Sequence, residues 1–146
     1  MDLPARVRDF LTETHRFAAA ATTDTDGSPR QTYIWYGLDA DDRLRINSRP
    51  PRRWWDNLQR TGKIALAIAD AEDGDRWVGL TGVLDEVVTG EAARDDIIAF
   101  AHRYHDGDPD PADIALFRSQ DRYTFLIRIT AVHNSTCIGC DRNSGG

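Results

Sequence analysis

The chain holds two cysteines, one methionine and one lysine in 146 residues. Two cysteines cannot form a disulfide framework, so the fold must rest on a packed core. A chain of this length can build one as a single domain. Long apolar runs are also missing. Nothing approaches the roughly 18 consecutive apolar residues of a membrane-spanning helix. The opening Met1-Asp2-Leu3-Pro4-Ala5-Arg6 lacks the basic start and apolar stretch of a secretory signal. A cytoplasmic location without membrane contact is the expectation. There is no G-x-S-x-G, no P-loop and no G-x-G-x-x-G, which sets aside the common serine-hydrolase, Walker and dinucleotide-fold readings. The acidic run Asp106-Gly107-Asp108-Pro109-Asp110 has Phe117, not Glu, at its twelfth place. It is therefore no EF-hand and reads as a loop capping the next helix.

What is present is a globular composition, 40% apolar and 29% charged, with a formal charge of −6. That balance disfavours a nucleic-acid partner. It hides a local reversal. Residues 43–63 carry seven cations (Arg43, Arg45, Arg49, Arg52, Arg53, Arg60 and Lys63) and one acid, Asp56. The window is +6 and the rest of the chain −12.

Apolar spacing predicts a helix over 4–16, with Val7, Phe10, Leu11 and Phe17 near one face. Strands follow at 17–23, 31–38 and 44–47, separated by the turn signals Asp24–Pro29 and Asp39–Asp42. Pro50-Pro51 stops the third strand and opens a short helix over 52–60, which Thr61-Gly62 closes. Two strands come next, 63–70 and 77–88. Gly79 and Gly82 in the second imply tight curvature or a close backbone approach. Helices over 91–104 and 112–119 precede a last strand, 123–132. The order lacks the alternating helices of a doubly wound sheet. It predicts a mainly β fold with peripheral helices, a six-stranded barrel in one domain over 1–133, and a polar, flexible tail over 134–146.

Four features carry chemistry. The segment Asn47-Ser48-Arg49-Pro50-Pro51-Arg52-Arg53 runs from a strand end into a helix start. Free N–H groups and arginine forks there suit a phosphate, while a merely solvated basic surface is the plainer alternative. Trp54 and Trp55 point about 100° apart on that helix, so one can enter the core while the other meets a ring or a partner. Tyr33 and Trp35 share one face of their strand, Ile34 and Tyr36 the other. His133, Cys137 and Cys140 offer three soft ligands near the chain end, but one C-x-x-C without a fourth ligand is a weak zinc pattern. A redox pair and an inert tail remain open, and no metal site is assigned.

Taken in order, Asp26-Gly27-Ser28-Pro29, Ile34-Trp35-Tyr36, Leu44-Arg45-Ile46-Asn47-Ser48, Arg52-Arg53 with Asn57-Leu58, Ile64-Ala65-Leu66, Gly82 and Arg122 with Ile127-Arg128-Ile129 resemble the flavin-binding split β-barrel family. That family includes pyridoxamine 5′-phosphate oxidase and the deazaflavin (F420)-dependent reductases, and the reductase branch is the more similar. The resemblance spans about residues 5–133. It implies a six-stranded split β-barrel of the FMN-binding type and a homodimer with cofactor bound at the subunit interface. It also implies roles. The strand from Gln31 through Tyr33 and Trp35 lines the cofactor ring, and Trp77 passes it. Asn47 and Ser48 lie near the ribityl chain and phosphate. Arg52 and Arg53, with Arg49, hold the phosphate next to Trp54 and Asn57. The lysine that many members carry before the Asn-Leu pair is replaced here by Trp54 or Trp55.

The arginine-rich composition resembles actinobacterial proteins, which commonly make the deazaflavin, and favours F420 over FMN. The leading expectation is an F420-dependent reductase passing a hydride to a small unsaturated or carbonyl substrate. An FMN-dependent flavin reductase or pyridoxamine 5′-phosphate oxidase-like enzyme is the first alternative, a non-catalytic cofactor-storing dimer the second. No catalytic residue stands out; Tyr36 and His133 are the candidate proton donors.

Overall fold

The computed structural model describes residues 1–135 and Ile138. The elements run α1 (Ala5–Thr12), β1 (Ala18–Thr23), β2 (Pro29–Ile34), β3 (Gly37–Leu38), β4 (Arg43–Ser48) and α2 (Arg53–Thr61). They continue with β5 (Lys63–Ala69), β6 (Trp77–Thr89), α3 (Glu91–Tyr104), α4 (Pro111–Ser119) and β7 (Tyr123–His133). The fold is mainly β with four peripheral helices, as its composition and spacing predict.

The strands form one antiparallel sheet in the order β2-β1-β5-β6-β7-β4-β3. β2 and β3 lie at opposite edges, yet only Trp35 and Tyr36 separate them in sequence. Three Cα steps span at most about 11 Å, so the sheet must curl until its edges nearly meet. This is the half-closed barrel, with Trp35-Tyr36 crossing the split. The expected continuous strand over 31–38 is thus two strands, and the strand count is seven rather than six. β-propensity cannot reveal the break, because the crossing residues are themselves aromatic.

Alternation sets the core. On β5, Ile64, Leu66 and Ile68 are buried while Lys63, Ala65, Ala67 and Ala69 face out. Leu44, Ile46, Phe125, Ile127, Ile129, Val78 and Leu80 complete the barrel interior, and Val7, Phe10, Leu11 and Leu58 of the helices plug it. Burying each such side chain contributes about 2 kcal/mol. β7 is buried on both faces around Thr124 and Leu126. The second face is covered where α3 lays Ala93, Ile97, Phe100 and Ala101 inward.

β6 needs its glycines. A Cβ on Gly82 would stand 2.4 Å from Ile127 Cγ2 and 3.0 Å from the Arg128 carbonyl, next to a register shift. A Cβ on Gly79 would fall on the His133 ring. The close approach read from the sequence is present at both.

α1 is shorter than its apolar spacing suggests. Arg16 turns back so that its guanidinium donates to the Phe10 carbonyl and pairs with Glu13 (2.6 Å) and Asp70 (2.8 Å). The chain leaves the helix to make that clamp. Asp110 caps α4, its carboxylate accepting the Ala112 N–H at 2.9 Å. No helix among the described residues is long and apolar enough to cross a membrane.

Candidate functional site

A cleft of about 270 Å³ opens beside the split, between the Trp35 crossing, β4, α3 and α4. Phe17, Tyr33, Trp35, Phe100 and Phe117 make its walls, and none of its lining residues is acidic. Trp35 is held by Tyr104 of α3, ring on ring at 5.1 Å and 15°. The Tyr104 hydroxyl accepts the Tyr36 N–H (3.1 Å) and donates to the Arg16 carbonyl (2.5 Å).

The polar groups of the cleft are Asn47, Arg52 and Arg122. Arg122 is 3% exposed. Its Nε donates to Asn47 Oδ1 at 2.8 Å and its Nη1 to Gln120 Oε1 at 3.0 Å, both neutral acceptors. Burial first, and then Arg52 and Arg49, push its pKa down to about 10. Arg52 is lowered too, by burial first and then by Arg49. Three like charges are therefore close, and among the described residues none of the three has an acidic partner within salt-bridge distance. Such a group in a cleft of low polarity attracts an anion.

Four of the other five cations of the basic window are otherwise engaged, and Lys63 is exposed on β5. Arg43 pairs with Asp39, Asp85 and Glu86, and Arg45 with Asp96. Arg60 donates to the Thr23 carbonyl and to Asn57 Oδ1. Arg53 stands 3.7 Å from Asp24 and faces a different, polar pocket with Asp24, Asp26 and Asp56. The expected grip by adjacent arginines therefore splits. Arg52 is the extended residue that caps α2 and Arg53 is its first helical residue, so the two side chains diverge: Arg52 enters the cleft and Arg53 does not.

Several other expected ring or phosphate contacts lie elsewhere. Trp54 is 5% exposed and packs edge-on to Phe125 in the core. Asn57 is buried and donates to Thr22 and Asp24. Strand alternation sends Asn47 to the cleft and Ser48 to the interior, where its Oγ has no partner. Trp55 packs edge-on to Tyr123, as the 100° offset from Trp54 requires, with its Nε1 also unpartnered. Tyr36 is no proton donor to the cleft. It is wholly buried, its hydroxyl donates to the Leu11 carbonyl, and burial raises its pKa.

A second cleft of about 400 Å³ shares Phe17 and Tyr33 with the first. Its floor is the outward face of β1 and β5, Ala19, Ala67 and Ala69, and Trp77 and His15 stand at its rim. One register row crosses the sheet there as Tyr33, Ala19, Ala67, Gly79 and His133. Small residues in the middle and rings at the ends leave a shallow trough. Trp77 and His133 meet edge-on at 5.8 Å on this face, away from the arginines. Gln31 lies exposed one row along, opposite Ala21. Cys137 and Cys140 lie outside the described residues. Among the described residues no group of His, Cys, Asp and Glu could hold a metal.

Arg122 is the residue that sequence reasoning missed as a site member. The resemblance places Arg122 at the start of the final strand without giving it a role, and only the packing of β7 against β4 brings it to Asn47.

The sequence matches the family described as pyridoxamine 5′-phosphate oxidase over residues 3–133. No functionally curated protein matches the chain. Among solved structures, an F420 reductase is 21% identical with a TM-score of 0.69, over 85% of this chain and 94% of that one. A conserved hypothetical protein from Mycobacterium tuberculosis is 21% identical with a TM-score of 0.68, over 93% and 88%. HutZ, the heme storage protein from Vibrio cholerae, is 15% identical with a TM-score of 0.62, over 90% and 94%. At these identities the likeness is one of fold.

Proposed function

Because the chain belongs to the pyridoxamine 5′-phosphate oxidase family of split β-barrels, we propose that it is an F420-dependent oxidoreductase acting on a small unsaturated or carbonyl substrate. The observation that carries this reading is the cleft in which Arg52 and Arg122 meet, reinforced by Arg49, among aromatic walls and without an acid. That donor set fits a phosphate, since arginine forks bind oxyanions in pairs of hydrogen bonds. Bound there, the reduced deazaflavin supplies a hydride. The protein's part is position, electrostatics and exclusion of water.

Arg52 and Arg49 would hold the anionic end, with Arg122 fixed by Asn47 beside them. The cleft of about 270 Å³ falls just below the usual range for whole-ligand pockets. A ring system held there would need further room, and Tyr33 and Phe17, which both clefts share, and the alanine floor would offer it. Tyr33 is 77% exposed and would be free to close on it, while Phe17, 57% exposed, rests its ring against Tyr104. This open apolar face is also where a second copy packs in our reading, making a homodimer that encloses the ring. Sedimentation at micromolar concentration tests that state.

A non-catalytic binding protein is the second reading. It is favoured by the cleft's lining, which holds no His, Asp, Glu or Cys to move a proton. FMN in place of F420 keeps the same phosphate contacts and would show as a yellow preparation. Titration of the purified protein with F420, FMN and FAD separates these cases. F420 should bind most tightly. Binding of none below roughly 100 μM, about −5.5 kcal/mol, removes the oxidoreductase reading. Saturable binding without turnover over a panel of quinones and enones selects the storage reading.

A further inference from the structure

Arg122 is built in more carefully than a phosphate grip at the helix start requires. Its Nε is held by Asn47 Oδ1 at 2.8 Å. The Asn47 amide donates in turn to the Ala93 carbonyl and to Thr124 Oγ1, both at 2.9 Å. The Thr124 hydroxyl donates to Asp96 Oδ2 at 2.7 Å. The bonds all run one way, from guanidinium to amide to hydroxyl to carboxylate. Asp96 thus orients the chain without neutralising Arg122, which it reaches only through two neutral side chains.

Burying a cation without an acid beside it is costly. Here two more arginines raise the cost, and Arg122 Nη2 has no hydrogen-bond partner among the described residues. The guanidinium plane lies near the Phe117 ring, 5.7 Å from carbon to centroid, at the base of the aromatic cleft. A purely structural arginine would be expected to pair with a carboxylate or cap carbonyls. This one is fixed at one end and left open toward the cleft.

We propose that Arg122 is the base of an oxyanion subsite, taking a carboxylate or phosphate group of a ligand whose flat apolar part lies against Phe117, Phe100 and Trp35. The proposal deepens the reading above, resting on the same cleft but not on the identity of the ring. If the group is the substrate's, the substrate class narrows to small unsaturated carboxylic acids. If it is the cofactor's, Arg122 joins Arg52 on one phosphate.

The test uses the whole protein with two probes, inorganic phosphate and cinnamate, read by thermal melting against chloride at equal ionic strength and by titration. Both probes should raise the Tm of the wild type. Arg122→Lys keeps the charge but loses the fork, and should weaken both at least tenfold. Arg53→Gln, outside the cleft, should leave both unchanged. Adding cinnamate to the F420-loaded protein separates the sources. Competition assigns the subsite to the cofactor, joint binding assigns it to the substrate, and either supports the proposal. Equal binding by wild type and Arg122→Lys, or no binding of either probe by the wild type, overturns it. Should Arg122→Lys fail to fold, the buried arginine Nε–H resonance of the wild type serves instead. It should shift on adding phosphate, and an unmoved resonance overturns the proposal. The two readings fail separately. If F420 does not bind but phosphate binding depends on Arg122, the cofactor reading falls and the subsite stands. If F420 binds and neither probe senses Arg122, the reverse holds.

Discussion

Tyr104 holds the split of the barrel through Tyr36: the phenol oxygen of the first accepts the backbone N–H of the second at 3.1 Å. The same hydroxyl donates to the Arg16 carbonyl, and the same ring supports Trp35. One side chain of α3 thus ties together the crossing between the two sheet edges. Tyr104→Phe keeps the stack and removes the hydrogen bonds, leaving a half-buried N–H and a carbonyl unpaired. It should cost about 1–3 kcal/mol, read as a lower midpoint in urea with an unchanged slope. An unaltered midpoint would show that the split is held by packing alone.

The two neighbouring arginines at the start of α2 should behave differently. Arg52→Gln removes a cation lining the cleft and should weaken F420 binding by at least tenfold, since charge-assisted hydrogen bonds contribute about 1.5–3 kcal/mol. Arg53→Gln touches only the pocket around Asp24 and should change affinity less than twofold. Equal losses would return both arginines to one grip. Neither change should shift the melting temperature by more than a degree or two.

That contrast marks how far the sequence could be read. Period-2 alternation located β5 and β7, and the 3.6 period located the buried face of α3. Pro50-Pro51 and Gly62 marked where β4 ends and α2 stops. Those are local signals, and the fold expresses them. Long-range partners leave no such mark. The sequence puts Arg52 and Arg53 side by side, and only the seating of Trp54 against Phe125 turns one to the cleft and the other to Asp24. Nothing near Arg122 announces Asn47, 75 residues away. The crossing at Trp35-Tyr36 was invisible because its residues are as β-prone as the strands it joins.

The two glycines of β6 make a stability prediction. Gly82→Ala forces a methyl against the Ile127 side chain and the Arg128 carbonyl. Backbone cannot step aside cheaply, so a loss of about 1–3 kcal/mol is expected. Gly79→Ala meets only the His133 ring, the far end of a side chain on the open face. It should cost less than half as much. Thermal melts of both variants check the ranking, and a reversed ranking would contradict the packing described for β6 and β7.

Acid stability should depend on the Arg16 clamp. Asp70 lies at about pH 2 in the folded chain against an ordinary 3.8, first through its hydrogen bond from Arg16 and then through the Glu72 N–H. Glu13 is lowered by Arg76 and Arg16. A carboxylate lowered on folding contributes its full stability above the unfolded value and loses it as pH falls toward the folded value. The window is therefore about pH 4 to 2. For Asp70 the contribution is about 1 kcal/mol after solvent screening. Asp70→Asn should flatten the denaturation midpoint across that window. A variant whose midpoint still falls as steeply as the wild type's would place the acid sensitivity elsewhere.

In the proposed function, the aromatic cleft between β4, α3 and α4 grips the anionic end of a deazaflavin through Arg52. Isothermal titration of F420 into wild type and Arg52→Gln tests it most directly. The wild type should give a saturable isotherm with a Kd below roughly 100 μM, and the variant should bind at least tenfold more weakly. Equal affinities in the two proteins, or no heat from either, would contradict it.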